Sequence, residues 1–311
     1  MKTAFVFPGQ GAQYVGMAQD YVAQYPEFAA VLRDFDQRHG TDLASIMAAG
    51  PEDALKETRF TQPAILFHSI CAWQVFTRRS ELRPDFVAGH SLGEFSALVV
   101  NGTLTWEDAL HLVHKRGEFM IRANGGVPFA MAAVIGLEAQ AVIGICAEAE
   151  ASGLVRAVNF NTPTQTVISG SESGVAQASA LAKERGAKRV LPLTVGGPFH
   201  TPLIQPASDW LAREMEGLSF RDADIPLISN LDAQPNTTGS LSREKLARQI
   251  VSPVLWVDSV RLMLESGVRR FVEFGPAKVL SGMIKNIDKD ASVVNLDKLE
   301  ELDSLLDALA E

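Results

Sequence analysis

Residues 86–100 constrain the fold more than any other stretch of this chain. Phe86-Val87-Ala88 is a short apolar run of the kind that forms a buried strand. Gly89-His90-Ser91-Leu92-Gly93 follows at once, and residues 94–100 continue as an apolar run of helical character. Strand, tight turn and helix in that order predict a parallel sheet flanked by helices. The two glycines let neighbouring backbone pass close to the turn, so the serine can sit at its tip with the hydroxyl lifted out of the sheet. At the start of the helix, unpaired N–H groups and the helix dipole favour negative charge. The Leu92 amide is therefore suited to stabilise the oxyanion that forms when Ser91 attacks a carbonyl.

Residues 4–7 form a second short apolar run, which stops at Pro8-Gly9. If this strand lies in the same sheet, the loop Pro8-Gly9-Gln10-Gly11-Ala12-Gln13 opens at the same edge, and the Gln10 backbone N–H is a candidate second oxyanion donor. Spacing alone does not separate that role from a plain turn. Helical patterns cover 15–37, 62–79 and 106–123, the last with Thr105 as N-cap. The chain changes character at Asn124-Gly125-Gly126. From 129 to 194 the pattern reads strand, helix, strand, strand, helix, strand, a split βαβ or ferredoxin-like unit. Gly196-Gly197-Pro198 then ends it. The expectation is a large α/β domain, residues 1–125 and 197–311, with a small ferredoxin-like domain inserted at 126–196 and a crevice between them. In the last third, helices are expected near 202–216, 242–250, 255–266, 277–287 and 299–310. Strands are expected near 226–229 and 270–274.

Composition narrows the chemistry. The 311 residues are 47% hydrophobic and 21% charged, which supports a sizeable core and argues against disorder. A net charge of −9 argues against nucleic acid as a partner. The two cysteines, Cys71 and Cys146, sit in apolar surroundings and read as buried free thiols. No His or Cys spacing suggests a metal site. No run approaches the roughly 18 apolar residues of a membrane span, and the first apolar stretch is too short for a signal peptide. The expectation is a soluble, cytoplasmic, monomeric protein.

A serine nucleophile needs a base. Six histidines are available: His39, His68, His90, His111, His114 and His200. His39, beside Gly40 in a charged stretch, reads as solvated. His68, His111 and His114 fall within helical patterns, and His90 would point away from Ser91 in a tight turn. His200 lies where the chain returns from the inserted unit, at the mouth of the expected crevice. It leads the candidates without excluding the others.

Several motifs, taken together and in order, resemble the malonyl-CoA:acyl carrier protein transacylase family. They are Phe7-Pro8-Gly9-Gln10-Gly11-Ala12-Gln13, Thr61-Gln62-Pro63-Ala64, Gly89-His90-Ser91-Leu92-Gly93-Glu94 and Lys115-Arg116-Gly117. Asn159-Phe160-Asn161, Phe199-His200, Gln249 with Pro253, and Glu273-Phe274-Gly275-Pro276 complete the set. The resemblance implies an α/β-hydrolase-like parallel-sheet domain with an inserted ferredoxin-like subdomain. It implies Ser91 as nucleophile, His200 as base, the backbone carbonyl of Gln249 as the group that orients the histidine, and Gln10 and Leu92 as oxyanion donors. Arg116, which spacing alone would leave on a helix surface beside Lys115 and Glu118, would pair with the malonyl carboxylate. Gln62, Phe199 and Asn161 would line the substrate, with Phe199 crowding a 2-methyl branch. Pro198 departs from the family pattern, in which a small residue such as alanine is frequent.

The resemblance further implies malonyl-CoA and acyl carrier protein as substrate and partner, with no metal and no bound organic cofactor. Lys183, Arg185, Lys188, Arg189, Lys278, Lys285 and Lys289 are candidates for docking an acidic carrier. Two other readings share the same serine: a discrete acyltransferase of a polyketide synthase, and a serine thioesterase. Only the thioesterase has no use for Arg116.

Overall fold

The alternation of residues in the first strand dictates how the larger sheet is covered. In the computed structural model, which describes residues 1–310, β1 (Lys2–Phe7) sends Ala4 and Val6 into one apolar cluster and Phe5 and Phe7 into another. A strand buried on both faces needs helices on both faces, which is the situation of a parallel sheet. The remaining strands are β2 (Phe86–Gly89), β3 (Phe129–Ile135), β4 (Val155–Thr162), β5 (Gln165–Ser171), β6 (Arg189–Pro192), β7 (Leu227–Ile228), β8 (Pro235–Asn236), β9 (Val268–Phe274) and β10 (Ser292–Leu296). The larger sheet has the order β10-β9-β1-β2-β7-β8 and is parallel except for the β7–β8 pair. The elbow at Ser91 therefore rises from the carboxyl end of a central strand.

The second sheet is antiparallel, in the order β4-β5-β3-β6. With helices Ala139–Ala149 and Glu172–Glu184 it realises the strand and helix order expected for this stretch. Its strand β4 is tied by backbone to the segment after Gln249: Val254 N–H donates to the Val158 carbonyl (2.7 Å) and Phe160 N–H to the Val254 carbonyl (3.1 Å).

Two helices carry the residues that matter most. Helix Thr58–Thr77 is buried along nearly its whole length. Pro63 has no N–H for the Arg59 carbonyl one turn back, and His114 Nδ1 meets that carbonyl instead (3.2 Å). Helix Trp106–Ala123 starts at Thr105, whose hydroxyl accepts from Asp108 N–H (3.1 Å), as the sequence predicts. The helices cross at Gly117, where a Cβ would lie 2.8 Å from the Thr58 carbonyl oxygen and the Arg59 Cα. That close approach sets Arg116 beside Gln62.

Three expectations need correction. The single helical pattern over 15–37 is two helices, Gln19–Gln24 and Pro26–His39, because Pro26 cannot continue the first and starts the second. β10 carries no expectation from sequence: it is a five-residue edge strand set between charged residues, with only Val293 and Val294 as a strand signal. His39 is not solvated: its ring packs against Phe35, His111 and His114 with centroids 4.6, 5.1 and 4.6 Å away. Burial and the neighbouring imidazoles push its pKa down to about 4. Among the described residues no helix is long and apolar enough to cross a membrane. Both cysteines are free and buried.

The elbow leaves no room for side chains at its ends. A Cβ on Gly93 would lie 2.1 Å from the Phe7 carbonyl oxygen, and one on Gly89 would lie 2.0 Å from the Gly93 carbonyl. Gly93→Ala is therefore expected to destabilise the fold by about 3 kcal/mol or more, at the upper end of overpacking costs, as read from denaturant unfolding midpoints. Gly102→Ala, at a position with open space, is the control, and only the strain of its positive φ should count.

Candidate active site

Ser91 sits at the tip of the elbow with φ +52°, a left-handed conformation that side chains rarely adopt. Asn230, at the end of β7, holds it there. Asn230 Oδ1 accepts from Ser91 N–H (2.7 Å), and Asn230 Nδ2 donates to the Gly89 carbonyl (2.6 Å). Ser91 Oγ lies 3.0 Å from His200 Nε2. The two residues are 109 positions apart and meet because the return from the smaller sheet enters the carboxyl edge of the larger one.

His200 is also held in a left-handed backbone, φ +62°, with its N–H bonded to the Ile250 carbonyl. Its Nδ1 faces two main-chain carbonyls, Gln249 at 2.9 Å and Ser252 at 3.1 Å. Donation from Nδ1 to these oxygens leaves Nε2 unprotonated and facing the serine. Burial, and then the charge of Arg116, push the His200 pKa down to about 3, so the ring is neutral at physiological pH.

Arg116 is buried and overturns the surface reading that spacing alone favours. Nη1 donates to Gln62 Oε1 (2.7 Å), and Nη2 donates to Ser91 Oγ (2.9 Å) and Gln249 Oε1 (3.0 Å). Its face lies over the Phe95 ring at 5.8 Å. Among the described residues it forms no ion pair, and burial lowers its pKa to about 10 even with the partly offsetting charge of Glu94.

The loop that carries Gln10 lies against the elbow. A Cβ on Gly9 would fall 2.5 Å from the His90 carbonyl oxygen, and one on Gly275 would fall 2.6 Å from Pro8. Gly275 thus lets the end of β9 seat the loop after β1. Among the described residues, the backbone N–H groups of Gln10 and Leu92 donate to no protein acceptor. Phe199 is buried next to His200, with its ring 3.0 Å from where a Gly197 Cβ would stand. Gln62 reaches Arg116 through Oε1, and its amide nitrogen contacts the Met120 sulfur at 3.6 Å. Asn161 Oδ1 is bonded to His90 Nε2 (2.8 Å), so this pair packs behind the elbow near Trp256.

The sequence alone gives no role to Asn230 or Ser252, nor to the side chains of Glu94 and Gln249 as structural members of the site. Glu94 is buried, accepts from Asn230 N–H (3.1 Å) and Gln249 Nε2 (2.7 Å), and has its pKa raised to about 7 by that burial. Gln249 Nε2 also donates to the Ser91 carbonyl (3.0 Å). One glutamine therefore touches Ser91, His200 and Arg116. The available signal for Asn230 was its position just past a strand neighbouring β2; no local pattern marks Ser252. Among the described residues no cluster of metal-binding side chains is present.

This arrangement has counterparts in known proteins. The acyl transferase domain family matches residues 4–298. The malonyl CoA-acyl carrier protein transacylase of Bacillus subtilis strain 168 is 41% identical over 311 residues, covering 100% of this chain and 98% of that protein. The solved structure of the malonyl CoA-acyl carrier protein transacylase from Coxiella burnetii superposes with a TM-score of 0.95 at 36% identity, over 100% of this chain and 98% of the other. A malonyl-transacylase solved in complex with its type II PKS acyl-carrier protein gives a TM-score of 0.94 at 36% identity, over 99% and 100% of the two chains. With matches of this extent in both sequence and structure, the chain belongs to the acyl transferase domain family, among the malonyl CoA-acyl carrier protein transacylases.

Proposed function

We propose that this protein transfers the malonyl group of malonyl-CoA to the phosphopantetheine thiol of an acyl carrier protein through a malonyl ester on Ser91. The observation that carries the reading is Arg116, a buried cation without an ion-pair partner among the described residues, bonded directly to the Ser91 hydroxyl. A site built for neutral acyl groups has no use for such a charge, whereas a guanidinium matches a carboxylate with two parallel hydrogen bonds.

The reaction runs in two halves. Neutral His200 takes the Ser91 proton at Nε2, and Oγ attacks the thioester carbonyl. The Gln10 and Leu92 amides receive the oxyanion. His200 returns the proton to the departing CoA thiolate, leaving malonyl-Ser91. The carrier thiol then gives its proton to His200 and attacks the ester, and the malonyl group leaves as the carrier thioester while Ser91 regains its hydrogen. Carbonyls of Gln249 and Ser252 take the orienting place that a carboxylate fills in a Ser-His-Asp triad. Residues 1–125 and 197–311 form the large catalytic part in this reading and 126–196 the inserted part, an assignment supported by the two separate sheets. Phe199, packed beside His200, limits the space for a branch next to the carbonyl.

Fatty acid synthesis is the pathway proposed here; the similarity to a transacylase solved with a type II PKS carrier keeps a polyketide role as the second reading. The basic candidates for carrier docking differ in their pairing. Arg185 is paired with Glu148, Lys278 with Glu301 (3.6 Å), and Lys285 with the Lys289 carbonyl (3.1 Å). Lys183, Lys188, Arg189, Lys285 and Lys289 form no ion pair among the described residues; of these, Lys188 and Arg189 lie at β6, an edge strand that also exposes Leu191.

Four outcomes follow. Mass spectrometry after mixing with malonyl-CoA should find a malonyl adduct on Ser91 that disappears in Ser91→Ala; turnover to free malonate without an adduct would mean a thioesterase. Arg116→Ala should lower kcat/KM for malonyl-CoA on the order of 10²-fold or more, from a loss of roughly 2–5 kcal/mol, and erase the preference over acetyl-CoA. The same variant should raise the pH of the acidic limb of acylation: removing a cation that depresses His200 makes the base easier to protonate, so activity is lost at higher pH than in the native protein. Charge reversal at Lys188 and Arg189 should raise KM for the carrier and leave KM for malonyl-CoA unchanged; equal effects on both would remove β6 from the docking surface.

A further inference from the structure

The cation assigned to the substrate carboxylate is already engaged with the nucleophile. Both Nη2 hydrogens of Arg116 have acceptors, Ser91 Oγ at 2.9 Å and Gln249 Oε1 at 3.0 Å, and Nη1 is held by Gln62. The buried Nε–H has no partner. A carboxylate binds a guanidinium along one edge with two parallel bonds, and the Nε–Nη2 edge holds the one guanidinium nitrogen that has no partner at all. Taking that edge requires one present acceptor of Nη2 to yield. Gln249 cannot easily do so, because its amide nitrogen is anchored to Glu94, to the Ser91 carbonyl and to Asn230. The Ser91 hydroxyl hangs on a single rotatable bond and keeps a second partner in His200.

We propose that Arg116 caps the Ser91 hydroxyl in the absence of substrate, and that a carboxylate binding the Nε–Nη2 edge releases it. Discrimination then acts at the nucleophile as well as in binding: an acyl group without a carboxylate meets a serine oxygen with one lone pair still engaged by a cation. Charge works in the same direction, because a carboxylate on Arg116 offsets the positive field that lowers the proton affinity of His200. The inference rests on the malonyl reading above for the identity of the carboxylate.

The test uses a neutral electrophile, so it does not depend on transacylation. Phenylmethanesulfonyl fluoride labels a reactive serine: Oγ forms a bond to sulfur, the S–F bond breaks, fluoride leaves, and the serine proton passes through His200 to solvent. Labelling of Ser91 is followed by mass spectrometry with sodium formate, a carboxylate small enough to leave the acyl position open, or with sodium chloride at equal ionic strength. In the native protein, formate should speed labelling by about tenfold, as expected for release of a charge-assisted hydrogen bond. Arg116→Gln should label at the faster rate without formate and show no response to it. An unchanged or slower rate with formate in the native protein would overturn the proposal, even if the variant failed to fold. Failure of the malonyl reading would be seen separately, as the lack of a malonyl adduct.

Discussion

The left-handed backbone at Ser91 is the constraint on which the site depends. A residue with a Cβ adopts φ near +52° at a cost of about 1–2 kcal/mol, so its surroundings must enforce it. Here the enforcement is explicit. Glycines at 89 and 93 allow carbonyls to pass where a methyl group would collide, and Asn230 bridges the Ser91 N–H and the Gly89 carbonyl. The strain turns Oγ toward His200 and leaves the Leu92 N–H without a protein acceptor among the described residues. His200 carries the same kind of backbone, φ +62°, so both partners of the Ser91–His200 hydrogen bond are fixed by main-chain conformation.

Electrostatics around this pair are arranged through one amide. Arg116 and Glu94 are both buried, yet they are linked through Gln249 rather than by direct contact. The glutamine oxygen faces the cation and its nitrogen faces the carboxyl group, so each charge meets the matching end of a dipole. A direct ion pair would neutralise the guanidinium and leave less of its field for a ligand carboxylate. The spacing keeps Arg116 available while its burial makes any unpaired state costly. The same glutamine offers its main-chain carbonyl to His200, which couples the position of that ring to that of the arginine.

Local sequence determined much of this. Strand, turn and helix at 86–100 require a serine on an elbow of a parallel sheet, because glycine spacing and apolar run lengths act over a few residues. The βαββαβ order of 129–194 follows from the same short-range periodicities, and Thr105 announces its own helix. These features are legible because each is settled by neighbours in the chain. β10 is not, since a short edge strand between charged residues gains its stability from pairing with β9 and carries little pattern of its own.

What the tertiary structure decided is the meeting of distant groups. Arg116 reads as an exposed helical residue until Gly117 lets two helices close on each other and buries it against Gln62. Asn230 and Ser252 carry no local mark, because their work is done on residues 139 and 52 positions away. His39 looks solvated until the helix ending at it packs against His111 and His114. A sequence states which hydrogen-bonding groups and charges exist; only the packing of its elements decides which of them lose water and must satisfy one another.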